Sequence, residues 1–209
     1  MKRIGFLMAF LALFLCNSIT AQVTEGKITY SLEFPDLDIP AAQKAFLPSE
    51  SITYFKDGKS RSETSAGMGM KSITISTPQE VIVLLDMMGD KKAVRKNLNN
   101  SDKSSSIKVT DEERKIAGYI CHKAIVSEGG EDKVEVWFTK DIVGGGTWGG
   151  SFDKIKGAPM EFAIDNKGMK MKMTALSVSA EKVDSKMFEV PKGYKEMTEE
   201  ELRSGAFSK

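Results

Sequence analysis

Gly26-Lys27-Ile28-Thr29-Tyr30-Ser31-Leu32-Glu33-Phe34 is the stretch that decides the fold class. Ile28, Tyr30, Leu32 and Phe34 alternate with Lys27, Thr29, Ser31 and Glu33. A period of two sends the apolar set to one face of an extended strand and the polar set to the other, so the strand is half-buried with a wet outer side. Pro35 ends it. The same alternation recurs downstream. Residues 71–77 carry Ile73 and Ile75 inward, and residues 159–164 carry Met160, Phe162 and Ile164 on one face. Met169, Met171 and Met173 alternate with Lys170 and Lys172, after which Leu176 and Val178 fall on the opposite parity. A β-bulge near Thr174-Ala175 would restore one apolar face along a long bent strand.

The segments between these strands read as turns and short connections. Residues 51–56 and 59–64 form a hairpin around Asp57-Gly58, a pair suited to a tight turn. The second arm is almost wholly polar, which predicts a thinly buried or edge strand. Residues 66–70 form a flexible break. Val81-Ile82-Val83-Leu84-Leu85 is a continuous apolar run, read as the most buried strand, covered on both faces. Gly89-Asp90 turns into a strand over residues 91–96. Residues 97–106, rich in Asn and Ser, read as a loop within one domain. Residues 107–110, 116–127 and 134–139 continue the strands, with Gly129-Gly130 turning between the last two, and Asp165-Asn166-Lys167-Gly168 turns before the methionine row. A short helix is expected within residues 40–47, and Thr198-Glu199-Glu200-Glu201 is a capping box opening a second, with Gly205 near its end. Strands at this spacing, joined by tight turns, imply a mainly β protein. Its antiparallel sheet is strongly curved or closed as a barrel, with one or two short helices as covers.

The chain begins with an address. Lys2 and Arg3 precede an apolar run over residues 5–15, and Ile19-Thr20-Ala21 offers a cleavage site. This layout is that of a secretory signal peptide over residues 1–21, leaving one β-rich domain over residues 22–209. The alternative is a lipoprotein modified at Cys16, but the residue before it, Leu15, is bulky. The formal charge of +1 belongs to the precursor, because two of its positive charges leave with the signal. A near-neutral body gives no electrostatic reason to expect nucleic acid as a partner, and nothing later resembles a membrane span.

Chemistry-bearing constellations are sparse. Cys121-His122 is the sole soft-ligand pair after the signal, and adjacent strand residues point to opposite faces. Cys121 reads as a small buried apolar residue, with a functional thiol and an intermolecular bridge as the other options. The methionine row suits either core packing or a lining adaptable to an apolar ligand, and copper(I) less well. Gly144 to Gly150, with Trp148 among the glycines, lacks the lysine and following helix of a phosphate loop. Trp148 either caps a pocket or tucks into its own loop. The carboxylate pairs Glu112-Glu113 and Glu131-Asp132 read as solvated faces. No catalytic residue, metal site or cofactor site is read from the sequence.

Four runs carry a family resemblance: Tyr54-Phe55-Lys56-Asp57-Gly58-Lys59-Ser60-Arg61, Ile116-Ala117-Gly118-Tyr119-Ile120-Cys121-His122-Lys123-Ala124, Val136-Trp137-Phe138-Thr139, and Phe188-Glu189-Val190-Pro191-Lys192-Gly193-Tyr194-Lys195-Glu196-Met197-Thr198. In order and spacing they resemble exported bacterial proteins of the domain of unknown function 4412 family. That family is similar in plan to LolA-like periplasmic carriers, which implies a half-barrel around an apolar cavity. The resulting expectation is a non-enzymatic envelope protein of a Gram-negative bacterium, in the periplasm or at the cell surface. It would bind an apolar small molecule or an acylated protein. Tyr30, Leu32, Phe34, Ile73, Ile75, Met160, Phe162, Met171 and Met173 are the candidate lining. The alternative is a structural or interaction module with a solid core and an envelope protein as partner.

Overall fold

The computed structural model describes residues 22–98, 105–128, 132–144, 152, 154–166, 169–198 and 200–201. The signal segment, the Asn- and Ser-rich residues 99–104, Gly129-Gly130, Trp148 with Gly145–Gly150, Lys167-Gly168 and Gly205 lie outside them.

Among the described residues the alternating segments form one sheet of 12 strands. β1 (Glu25–Glu33), β2 (Glu50–Lys56), β3 (Lys59–Ser65), β4 (Met70–Ser76), β5 (Glu80–Met87) and β6 (Asp90–Asn97) make one antiparallel meander. β7 (Ser105–Ile116), β8 (Tyr119–Glu128), β9 (Asp132–Thr139), β10 (Ala158–Asn166) and β11 (Met169–Ser179) make a second. The meanders join where β1 pairs antiparallel with β11. The short β12 (Lys195–Met197) lies parallel to β6, so the sheet is mixed. β12 and β7 are its two ends, and it does not close into a barrel. Helix is scarce: α1 spans only Ala41–Lys44, inside the segment expected to be helical. The expected C-terminal box is formed, with Thr198 N donating to Glu201 Oε2 at 2.8 Å and Glu201 N donating to Thr198 Oγ1 at 3.1 Å.

Tight turns fix the register. Asp57 and Gly58 both adopt positive φ, as a two-residue hairpin of this hand requires. The same pattern at Ala117 (φ 48°) and Gly118 (φ 86°) splits the run over residues 116–127, expected as one strand, into the end of β7 and the start of β8. Alanine rarely sits at positive φ, so the sequence carries little warning of that turn. The expected bulge on β11 is present, displaced slightly: Tyr30 faces Ala175 while Thr29 faces Ser177, which leaves Leu176 unpaired. Leu176 is the bulged residue and points outward, 56% exposed, rather than joining the apolar face.

Apolar packing divides between opposite faces of this sheet. Ile28 faces Thr53, Thr53 faces Ser62, Ser62 faces Thr74 and Thr74 faces Val83. That face is most apolar toward β1 and β8–β11, where Ile28, Tyr30, Leu32, Met173, Phe162, Val136 and Ala124 form the first core together with Phe55 of β2. In the β2–β6 half, Ile75, Ile82, Leu84 and Ala93 lie on the other face and form a second core with Val183 and Phe188. The lid of the second core is the segment around the 3-10 turn Ser185–Phe188, which Asp184 caps. Lys56 Nζ donates to the Val183 carbonyl at 2.9 Å and Arg61 Nη1 to the Met187 carbonyl at 2.9 Å, strapping the lid down.

This arrangement corrects two expectations. Of the two readings of β3, thinly buried or edge, the edge falls, because it lies between β2 and β4. Its hydroxyls are satisfied across the ladder, with Thr53 and Ser62 oxygens 2.8 Å apart, so a polar strand can be interior without orphaned groups. β5 is covered on one face only: Ile82 and Leu84 are buried while Val81, Val83 and Leu85 stay half-buried.

Candidate functional site

One row of side chains crosses the polar face of the second meander. Trp137 lies on β9 between buried Val136 and Phe138 and is itself only half-buried. Its cross-strand neighbours are Lys123 on β8 and Glu161 on β10. Glu161 faces Thr174 on β11, and Thr174 faces Ser31 on β1. Arg114, from β7, places its guanidinium carbon 4.1 Å from the centre of the Trp137 ring. A cation over an indole is favourable by about 0.5–2 kcal/mol, depending on its desolvation.

Arg114 Nη2 lies 2.7 Å from Glu161 Oε1, and Lys172 Nζ lies 3.4 Å from the same oxygen. Thr174 Oγ1 donates to Glu161 Oε2 at 3.2 Å. Burial alone would raise the Glu161 pKa, but Arg114 and Lys172 outweigh it and hold the carboxyl below the usual carboxylate range. Glu161 is therefore ionised at neutral pH and accepts hydrogen bonds. On the other side of the indole, Lys123 Nζ lies 3.3 Å from both Glu112 Oε1 and Glu135 Oε1. The row thus combines an aromatic ring, a fixed carboxylate, a guanidinium and hydroxyls.

Sequence reasoning missed this group. Trp137 entered only as part of a resemblance, and Glu161 was not singled out. The available signal was parity: Trp137 shares the parity of Glu135, not that of Val134, Val136 and Phe138.

The nine candidate lining residues do not share one cavity. Tyr30, Leu32, Met160, Phe162 and Met173 are buried in the first core, with Phe34 and Met171 packed against it. Ile75 is buried in the second core, on the opposite face, with Ile73 packed there. Leu32 and Phe34 also line a cleft of about 190 Å³ with Leu37, Leu47 and Pro48, below the size range of ordinary small-molecule sites. Cys121 and His122 turn to opposite faces, across from Arg114 and Glu113 respectively. Burial pushes the Cys121 thiol up to about 11, which keeps it protonated at neutral pH. Among the described residues no group of three or more His, Cys, Asp or Glu side chains could hold a metal ion. No helix among them is long and apolar enough to cross a membrane.

Residues 45–201 match the family model described as "N-glycanase peptide, N-terminal domain". The chain belongs to this family. Two solved structures described as PNGF-II, in the P21 and C2 space groups, share its fold. The first is 20% identical with a TM-score of 0.57, and the second 19% identical with 0.53. The alignments cover 88% of this chain but only 33% and 32% of those chains, so this chain spans about a third of their length. An uncharacterised conserved protein from Thermus thermophilus aligns at 13% identity and a TM-score of 0.48, covering 84% of this chain and 91% of that one. No curated protein matches the sequence.

Membership of the N-glycanase N-terminal family corrects the earlier resemblance. The runs that suggested the domain of unknown function 4412 family fall instead within the matched region, and nothing supports that family or the LolA-like plan. The apolar or acylated ligand and the carrier role fall with it, and the structural-module alternative gains no support. The expectation of a non-enzymatic protein is corrected as well, since the family that the chain belongs to takes its name from an N-glycanase. The physical reason for the error is that apolar alternation reports a half-buried strand whether the buried face fills a core or lines a cavity.

Proposed function

We propose that this chain engages N-linked glycoproteins, as the substrate-handling part of an N-glycanase-type activity. The family match over residues 45–201 carries this reading. The Trp137 row supplies suitable chemistry, since polyhydroxylated ligands need a flat wall with fixed donors and acceptors around it. Strong curvature of the β7–β11 half belongs to the same proposal. Arg114 on β7 pairs with Glu161 on β10 at 2.7 Å, with β8 and β9 between them. In a flat sheet those strands would lie ~14 Å apart at the ordinary spacing, and curling brings them closer. Export through residues 1–21, a single domain over residues 22–209 and a periplasmic or surface location in a Gram-negative bacterium complete the reading, since they bring the domain to extracytoplasmic glycoproteins.

The test uses the chain from residue 22 onward and two surfaces, a polypeptide bearing one N-linked glycan and the same polypeptide made without it. Retention on the glycosylated surface alone is expected. A mass loss of the glycosylated polypeptide equal to its glycan would extend the reading to hydrolysis. Equal retention on both surfaces, or none, with no mass change overturns it.

A further inference from the structure

We infer that the face around Trp137, Arg114, Glu161 and Thr174 is the subsite for neutral sugars of the glycan; this rests on the glycoprotein reading above. The charge balance argues for a neutral ligand. Arg114, Lys172 and Lys123 are matched on the spot by Glu161, Glu112 and Glu135. A phosphate, a sulfated chain or a nucleic acid would need an unmatched positive field, which this face does not offer.

The hydrogen-bonding inventory argues for a hydroxylated one. An ionised carboxylate offers about four acceptor sites, and Glu161 directs its own toward Arg114, Lys172 and Thr174. One site on Oε2 is left for a donor from outside. The guanidinium has about five N–H donors, and the Arg114 pair with Glu161 runs through Nη2, leaving donors for hydroxyl oxygens. A sugar hydroxyl, both donor and acceptor, can bridge these two groups.

Rigidity argues that the face is built for recognition. Glu161 is held from β7 and from β11, and the guanidinium is stacked on the indole as well as paired. Groups fixed from several strands lose little side-chain freedom when a ligand arrives, which lowers the entropic cost of binding. The guanidinium lies over the indole, its carbon 4.1 Å from the ring centre, and the Arg114 side chain is 38% open, so the flat face of a pyranose would meet the guanidinium backed by the ring.

The test uses the chain with Trp148→Phe, in which Trp137 is the sole tryptophan. The probe is the free oligomannose glycan released from the test polypeptide above. A saturable change in Trp137 emission is expected, weakened about tenfold by the near-isosteric Glu161→Gln, as suits loss of one hydrogen bond to a charged group. Retention on the glycosylated surface should fall in parallel, with the far-ultraviolet spectrum of the variant unchanged. If the glycosylated surface retains Glu161→Gln and Trp137→Phe as well as the parent, the subsite is wrong and the glycoprotein reading stands. If the parent ignores both the free glycan and the glycosylated surface, both fall.

Discussion

Replacing Tyr30 by Phe removes one oxygen from the centre of the first core. Tyr30 is 2% exposed, and its hydroxyl donates to the Pro159 carbonyl at 2.8 Å, reaching from β1 across β11 to β10. Its ring meets Phe162 edge-on with centroids 6.1 Å apart, a contact that phenylalanine would keep. The cost therefore isolates the hydrogen bond. A buried carbonyl left without its donor costs about 1–3 kcal/mol, and we take ~1.5 kcal/mol because the ring still fills the space. With a urea slope near ~2 kcal/mol/M, the midpoint should fall by ~0.75 M at constant slope. Pro159 sits where the β9–β10 register shifts beside Glu161, so the lost bond also loosens the strand that carries the carboxylate. Urea unfolding followed by circular dichroism and by tryptophan emission reads both quantities. A midpoint within ~0.2 M of the parent would refute the reasoning, since no net hydrogen bond costs so little when its acceptor is orphaned.

Three further outcomes follow from the geometry. Gly144→Ala should lower the melting temperature sharply, because its Cβ would overlap the Thr24 carbonyl and come within 2.9 Å of Phe55 Cδ2; overpacking of this kind costs about 1–3 kcal/mol, and an unchanged transition would contradict the contact. Phe188→Ala opens the second core alone and should cost about 3–5 kcal/mol, with hydrogen exchange rising in β4–β6 ahead of β8–β10; uniform loosening would contradict separate cores. Glu25 hydrogen-bonds Lys182 and Lys56 at 2.7 and 2.9 Å, and these bonds lower its pKa from 4.5 to about 2. Its folded value lies below its unfolded one, so the contribution is full above about 4.5 and is lost as pH falls toward 2. Glu25→Gln should flatten the fall in stability between pH 5 and 2, and an unchanged acid slope would count against the pairing.

The strands were legible because their buried faces repeat every second residue, as in residues 26–34 and in the methionine row. The phase change at Leu176 even revealed the bulge. Other features were not legible because the local signal is shared by several structures. Ala117-Gly118 lacks the Asn or Asp that marks a tight hairpin, so the turn was invisible. The polar arm of β3 looked like an edge because cross-strand hydroxyl pairing cannot be read from one strand. Two cores on opposite faces depend on which half of the sheet the lid at Val183 and Phe188 covers, a long-range matter. For the same reason Ile73 and Ile75 were grouped with Tyr30 and Met173, which lie on the other side. The Trp137 row joins side chains from β7, β9, β10 and β11, and no spacing within one strand assembles it.

The most direct measurement is a titration of the isotopically labelled chain with a glycopeptide carrying one N-linked glycan, followed by amide and indole N–H chemical shifts. The account predicts shifts centred on the Trp137 indole and the amides around Glu161 and Thr174, absent when the same peptide lacks its glycan. Shifts clustered elsewhere on the sheet, or identical for the two peptides, would contradict it.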